Sequence, residues 1–228
     1  MTVQEFIATI SQSRLTKYLR CGEAARRHYL EGEKTPPGLN MHMGTALHRS
    51  AASAHRQQMD VLKQHPDATQ DDLMAALPDT TAAGEIAAET LKQEINTGVT
   101  LSREDEERGK VVVLGEAVDT VFSAAKLYVG TVAPTVRPLG VEHNVTAKIK
   151  HRGQVFEVMG IIDLVDQQPE GEIVTDQKLR GKTPDRAEIT TGDQLTMYGF
   201  LRKLATGHAP QGYKLNNLIH TKKGRVTY

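Results

Sequence analysis

Two aspartates and a lysine lie in a stretch of about sixteen residues of this 228-residue chain. Asp163 ends the motif Gly-Ile-Ile-Asp, and Asp176 and Lys178 belong to the motif Thr-Asp-Gln-Lys. Two carboxylates and an ammonium group on neighbouring strands can hold a divalent cation and a water molecule against a phosphodiester. These residue types therefore indicate metal-dependent hydrolysis of a phosphate ester.

The surrounding sequence predicts a β-hairpin. Residues 154–166 are rich in Val, Ile and Phe. In residues 172–179, successive side chains alternate as expected for the two faces of a strand. The segment between them contains Pro169 and Gly171, which favour a tight turn. We therefore expect two antiparallel strands that are neighbours in a sheet.

This hairpin would bring the two aspartates side by side. Because side chains alternate along a strand, Asp176 and Lys178 should share one face while Gln177 points to the other. An exposed Asp and Lys pair on an edge strand is a simpler explanation and would contribute only ~0–1 kcal/mol. Asp163, however, ends an apolar run, where a carboxylate is costly unless it is paired or binds metal. The functional interpretation is therefore preferred.

Two other motifs supply polar groups from helices. Residues 193–206 predict a helix on which Gln194 and Tyr198 share a face, away from an apolar stripe of Leu195, Phe200, Leu201 and Leu204. His48 lies early in another helical stretch, four residues after Gly44. Either motif alone is more often structural than functional.

Taken in order, the four motifs resemble the RecB-like nucleases of the PD-(D/E)XK superfamily. The motifs are Gly-x-x-x-His, Gly-x-x-Asp, Asp-x-Lys and Gln-x-x-x-Tyr, and residues 11–21 are similar to the N-terminal helix of many of these nucleases. The resemblance implies an α/β (α+β) fold of the restriction-endonuclease type, in which a mixed central sheet is flanked by helices.

The resemblance also implies roles for the site residues. His48, Asp163, Asp176 and the main-chain carbonyl of Gln177 would bind Mg²⁺ or Mn²⁺. Lys178 would position or activate the attacking water, or add positive charge. An imidazole among oxygen ligands suits Mn²⁺ somewhat better than Mg²⁺.

A second group of residues is expected around this centre. Gln194 and Tyr198 would lie beside the DNA backbone, and the basic Arg180 and Lys182 are expected to contact DNA as well. Glu142 matches an acidic position that is frequent in the family and is a candidate for the shell around the metal ligands.

Several relatives hold an iron-sulfur cluster with four cysteines, but Cys21 is the only cysteine of this chain. Such a cluster needs four thiolates, so we expect none here. We expect Cys21 to be a small buried hydrophobic residue.

The charge of the chain is zero overall but unevenly distributed. Residues 176–228 contain ten basic and four acidic residues, whereas residues 60–125 contain fourteen acidic and five basic ones. A basic flank beside the expected metal site fits a DNA-facing side.

The chain is expected to form a single domain over residues 1–228. Residues 50–135 would be a helical insertion, with helices near 71–77 and 82–96 and one long helix that begins at a Ser102 capping box and runs through Leu127. Residues 136–228 would be the catalytic sheet core.

The absence of a long apolar run, a secretory signal or a disulfide framework predicts a cytoplasmic, soluble protein without a membrane partner. The leading hypothesis is a metal-dependent deoxyribonuclease, more an exonuclease than an endonuclease, in recombination, repair or phage DNA metabolism. The expected partners are DNA and a recombinase, helicase or single-strand-binding protein, and a homo-oligomer is an option. A non-catalytic DNA-binding module and an adaptor protein remain as alternatives.

Overall fold

The computed structural model describes residues 8–184 and 193–220 and the backbone of 226–227. They form a mixed six-stranded sheet with helices packed against it, which confirms the expected fold class. The strands are β1 (Thr9–Ser11), β2 (Pro138–His151), β3 (Gln154–Gln168), β4 (Gly171–Arg180), β5 (Gly212–His220) and β6 (Val226–Thr227). The helices are α1 (Gln12–Arg20), α2 (Gly22–Tyr29), α3 (Leu39–Gln64), α4 (Gln70–Ala75), α5 (Thr80–Asn96), α6 (Arg103–Arg108), α7 (Lys110–Thr131) and α8 (Asp193–Thr206), with a 3₁₀ turn at Ala133–Thr135.

Strand β3 organises the sheet because its fifteen residues allow it to pair with three other strands. It pairs antiparallel with β2 along one edge. Along the other edge its first half pairs parallel with β1 and its second half pairs antiparallel with β4. Strand β5 continues the sheet parallel to β4, and β6 closes it antiparallel to β5.

The hairpin of β3 and β4 confirms the strands that the sequence predicts. The two strands are joined at Pro169 and Glu170, and the register pairs Gln168 with Gly171 and Leu164 with Thr175. A short turn of this kind fixes the register, so each side chain is assigned to a definite face of the sheet.

Helices α3, α5 and α7 form an apolar core with one face of the sheet. The buried residues include Leu47 of α3, Leu91 of α5 and Val121 of α7, with Leu218 of β5 contributed by the sheet. The expected long helix after Ser102 is in fact two helices. Ser102 does cap α6, but Gly109 has φ +95°, which a continuing helix cannot accommodate, and α7 begins after it.

Helix α8 covers the other face of the sheet and buries Tyr198 and Leu201. A Cβ added at Gly160 would lie 2.7 Å from Leu201 Cδ1, so the glycine at this position favours the close approach of α8 to β3. The expected apolar stripe is confirmed for Leu201 and Leu195, which pack on the core, and wrong for Phe200 and Leu204, which are 42% and 40% exposed. The packing of Tyr198 and Leu201 on the sheet determines which face of the helix is buried.

The expected burial of Cys21 is also wrong. Cys21 is exposed between α1 and α2, where its Sγ accepts a hydrogen bond from the N–H of Ala24 at the start of α2.

Within the described ranges, no helix combines the length and the apolar character that crossing a membrane would need. The division into a helical insertion over 50–135 and a sheet core over 136–228 remains a prediction.

Candidate active site

The register of β3 and β4 brings the two aspartates together. The pair next to Leu164 and Thr175 along the hairpin is Asp163 and Asp176. The main-chain N–H of Gln177 donates to Oδ2 of Asp163 at 3.1 Å. The side-by-side placement that the hairpin predicts therefore agrees with the structure.

Lys178 and the first turns of α8 surround the carboxylate of Asp176. Lys178 Nζ lies 2.9 Å from Asp176 Oδ2 and donates to Gln194 Oε1 at 3.0 Å. The amide Nε2 of Gln194 donates to Asp176 Oδ1 at 2.8 Å and to the Tyr198 hydroxyl at 2.9 Å. The Asp-x-Lys and Gln-x-x-x-Tyr motifs therefore meet in a single hydrogen-bonded group.

His48 reaches the same group from α3. Its Nδ1 lies 3.3 Å from Asp163 Oδ2. Burial opposes protonation of His48, but the hydrogen bond and negative charge of Asp163 outweigh it and raise the pKa of His48. Burial likewise acts to raise the pKa of Asp163, but the contact with His48 and the N–H of Gln177 lower it below its usual value.

Asp176 is the most deeply buried acid of the site, with 1% of its surface exposed. Burial disfavours its charged form and raises its pKa to about 6, although the positive charge of Lys178 acts in the opposite direction. The negative charge of Asp163 also raises the pKa of Asp176. A buried carboxylate whose burial is only partly compensated, next to a second carboxylate, is a suitable donor set for a hard divalent cation.

Glu142 lies on β2 at the position opposite Asp163, because Val141 pairs with Leu164 and His143 with Ile162. Its carboxylate forms an ion pair with Arg56 of α3. Its backbone has φ +44°, in the left-handed region that non-glycine residues rarely occupy. Glu142 is therefore near the two aspartates, but its placement in the shell around a metal remains a prediction.

The side chain of Gln177 points to the opposite face, as period-two alternation predicts. Its Nε2 donates to the hydroxyl of Tyr128 at 2.7 Å, and the same hydroxyl is 2.7 Å from Nε2 of His55. His55 Nδ1 lies 2.8 Å from Oε1 of Gln58, so a buried polar chain runs from the site into the helices. Among the described residues, Oε1 of Gln177 has no hydrogen-bond partner.

Sequence reasoning missed this polar chain. Tyr128 and His55 are 73 residues apart in sequence, and neither belongs to a recognisable motif. The one available signal is the helical spacing of His55 and Gln58, which places them on one face of α3. That signal alone does not distinguish them from a surface pair.

The residues present can accommodate a divalent cation, although they do not form a preformed cage. In the part of the chain that the structure describes, no group of three His, Cys, Asp or Glu side chains is arranged to hold a metal ion. Asp176 contacts Lys178 and Gln194, and Asp163 contacts His48. The ligand roles of His48, Asp163, Asp176 and the carbonyl of Gln177 remain predictions.

The predicted DNA contacts of Arg180 and Lys182 are likewise untested. Both follow Lys178 at the end of β4, where Arg180 is half-buried and Lys182 is exposed. Arg180, the last residue of β4, shares the strand face of Asp176 and Lys178 by alternation, and Lys182 lies two residues beyond the strand.

Comparisons with known proteins agree with the arrangement of these motifs. The family model described as the PD-(D/E)XK nuclease superfamily matches residues 9–226. No curated protein matches the sequence. A solved structure titled "Crystal structure of SSO0001" is similar at 13% identity and a TM-score of 0.29, covering 100% of this chain and 75% of the other, and at that level it adds no argument. The match over nearly the whole chain shows that this protein belongs to the PD-(D/E)XK nuclease superfamily.

Proposed function

We propose that the protein is a RecB-like DNA nuclease that hydrolyses phosphodiester bonds with Mg²⁺ or Mn²⁺, more an exonuclease than an endonuclease. The supporting observation is the contact of Lys178 with both Asp176 and Gln194, beside Asp163 on the neighbouring strand. Metal-dependent nuclease activity in general follows from membership of the superfamily.

In this proposal the cation is held by Asp163, Asp176, His48 and the main-chain carbonyl of Gln177. When bound, the cation acidifies water and neutralises the negative charge that builds up on the phosphate during hydrolysis. His48 already contacts Asp163 through Nδ1, so the helix that carries it brings a third donor to the hairpin.

Lys178 has the geometry to steer a water molecule or to stabilise negative charge. Its side chain is 31% exposed, so Lys178 contacts the buried carboxylate of Asp176 and also borders the solvent through which a substrate arrives. Gln194 accepts from Lys178 and donates to Asp176, which holds the ammonium in place. Tyr198 fixes Gln194 in turn, because its hydroxyl accepts from the same amide.

The proposed biological setting is recombination, repair or phage DNA metabolism, with DNA and a recombinase, helicase or single-strand-binding protein as partners. The excess of basic residues over 176–228 supports a DNA substrate. A non-catalytic DNA-binding module is distinguished from this proposal by its failure to cut DNA with any cation.

The test is a nuclease assay with linear and circular, single- and double-stranded DNA in Mn²⁺, Mg²⁺ or EDTA. Cutting should require the cation, and Lys178→Ala should lower kcat by about 10²-fold or more, the usual contribution of a positioned proton-transfer group. Lys150→Ala is the matched control, since Lys150 is an exposed strand lysine paired with Val155, about 26 Å along β3 from Asp163. Full activity of Lys178→Ala would exclude the mechanism, and cutting in EDTA would exclude the cation.

A further inference from the structure

Strand β5 carries an asparagine next to the candidate active site. It runs parallel to β4, and the register of the two strands pairs Lys178 with Asn217. Paired residues of neighbouring strands lie about 5 Å apart, and their side chains point to the same face of the sheet. Asn217 is therefore a neighbour of Lys178, although it belongs to none of the motifs that predict the site.

The packing of β5 determines the face on which Asn217 lies. Tyr213, four residues earlier, approaches Gly199 of α8 so closely that a Cβ on that glycine would overlap with the tyrosine ring. Leu218, the next residue after Asn217, belongs to the core of α3, α5 and α7 on the opposite face. Because side chains alternate along a strand, Asn217 faces the side of α8, together with Lys178.

Among the residues that the structure describes, none donates a hydrogen bond to the side-chain oxygen of Asn217, although this Oδ1 is buried. The Nδ2 of Asn217 donates to the main-chain oxygen of Leu215 at 3.2 Å. Since a carbonyl can only accept, this contact fixes which end of the amide is nitrogen and which is oxygen. A buried acceptor without a donor is unfavourable and requires an explanation.

Lys178 can supply the other half of a water site. An ammonium group has three N–H donors, and within the described residues Lys178 donates to two side chains, Asp176 and Gln194. A water molecule between the two strands could accept from Lys178 and donate to Asn217. The other buried side-chain oxygen without a donor, Oε1 of Gln177, points to the opposite face and cannot reach this water.

We propose that Asn217 is a further catalytic residue, whose side-chain oxygen accepts a hydrogen bond from the attacking water while Lys178 donates to the same water. This inference rests on the proposed nuclease function. Two hydrogen bonds of opposite direction fix the orientation of the water oxygen before it reacts. That oxygen bonds to phosphorus, and the bond from phosphorus to the leaving oxygen breaks with its electrons. The leaving oxygen takes up the proton that the water loses, and Asn217 itself is unchanged.

The test compares Asn217→Leu with the wild type, because leucine has nearly the shape of asparagine but no acceptor. The kcat for DNA with Mn²⁺ should fall roughly tenfold to hundredfold, as for a misplaced reacting group, while KM stays the same. Asn96→Leu is the control, since Asn96 is an exposed asparagine at the end of α5. The control variant should keep full activity.

Thermal unfolding separates this role from a structural one. Asn217→Leu removes a buried acceptor that lacks a donor, so its melting temperature should rise by about 2–4 °C. A purely structural asparagine predicts a lower melting temperature together with the lower kcat. Asn217→Ala removes the same oxygen without adding bulk, so it provides the same test of kcat if the leucine variant does not fold.

Three results would overturn the inference while the wild type still cuts DNA. Full activity of Asn217→Leu or Asn217→Ala would mean that the water is held without the amide. A raised KM with an unchanged kcat would place Asn217 against DNA rather than water. A melting temperature that falls with kcat in both variants would make the residue structural. A wild type that cuts no DNA with any cation is a different outcome, because it refutes the nuclease proposal itself and the role of Asn217 with it.

Discussion

At the scale of single residues, Gln194 has the most constrained role in the candidate site. Its carbonyl oxygen accepts from Lys178, and its NH₂ group donates to both Asp176 and Tyr198. These partners fix which end of the amide is oxygen and which is nitrogen. Gln194 is thus a positioning residue that keeps the ammonium and the carboxylate in a set geometry.

Replacement of Gln194 by Glu should strongly lower activity. The variant keeps the size of the side chain but places a carboxylate oxygen against Asp176, which loses a donor and gains a like charge. We expect kcat to fall about 10²-fold, comparable to the loss of one well-placed donor. Cleavage assays should show this loss, while Gln57→Glu, an exposed substitution on α3, should retain full activity. An active Gln194→Glu enzyme would show that the amide is dispensable.

At the scale of elements, a buried polar chain ties β4 to helices α3 and α7. The Nε2 of Gln58 donates to two main-chain carbonyls, so its Oε1 accepts from Nδ1–H of His55. The other ring nitrogen of His55 then accepts from the Tyr128 hydroxyl, whose oxygen accepts from Gln177. Each hydrogen bond in this series therefore has a defined donor and acceptor. The series holds Gln177, the residue between Asp176 and Lys178, to two helices on the face of the sheet opposite the site.

Removal of the Tyr128 hydroxyl should weaken both the fold and the site. In Tyr128→Phe, buried nitrogens of His55 and Gln177 lose their partner, which should lower the free energy of unfolding by about 1–3 kcal/mol. Urea unfolding measures this loss, and the nuclease assay should show a lower kcat below the melting temperature because Gln177 is less firmly held. Tyr18→Phe is the control, since Tyr18 is 56% exposed. Equal stability of the two variants would contradict the anchoring role.

At the scale of the whole molecule, the sheet separates two apolar cores. One core joins α3, α5 and α7 to one face of the sheet, and the other joins α8 to the opposite face. The site lies where these two layers meet the hairpin, so His48 comes from one layer and Gln194 from the other. Its geometry consequently depends on the folding of the entire domain.

The pH dependence of unfolding should report the burial of His55. Burial lowers the pKa of His55 to about 4, against its ordinary value of 6.5. Between these two values the unfolded chain binds the proton and the folded chain does not, so the stability present above about pH 6.5 decreases as the pH falls. We expect a loss of about 3 kcal/mol from this residue on reaching pH 4. Urea unfolding at several pH values measures it.

A comparison of histidine variants isolates this effect. His55→Gln should flatten the decrease in stability between about pH 6.5 and 4, whereas His151→Gln, at an exposed position in β2, should leave it unchanged. Identical pH profiles for His55→Gln and the wild type would assign the decrease to other groups.

The parts of the site that sequence alone predicts are those set by local rules. The turn at Pro169 and Gly171 fixes the hairpin register, which places Asp163 beside Asp176, and strand alternation places Lys178 with Asp176. Only the family resemblance implies that His48 belongs to the same site as the two aspartates, because nothing local determines how a helix docks on a distant strand.

The remaining features depend on tertiary packing. Helix α8 buries Tyr198 and Leu201 because Gly160 of β3 permits the helix to approach the sheet closely at this point. The sequence of the helix alone does not reveal this approach. Likewise, the positive φ of Gly109 separates α6 from α7, although glycine within a helical pattern is often tolerated.

The hairpin also has a consequence for the order in which the site forms during folding. Asp163 and Asp176 are thirteen residues apart, whereas His48 is 115 residues before Asp163. Since the entropy cost of closing a loop rises with its length, the carboxylate pair forms by a local, fast step and the histidine joins by a slow, long-range one. We therefore expect the two carboxylates to lie side by side on the folding chain before α3 has docked.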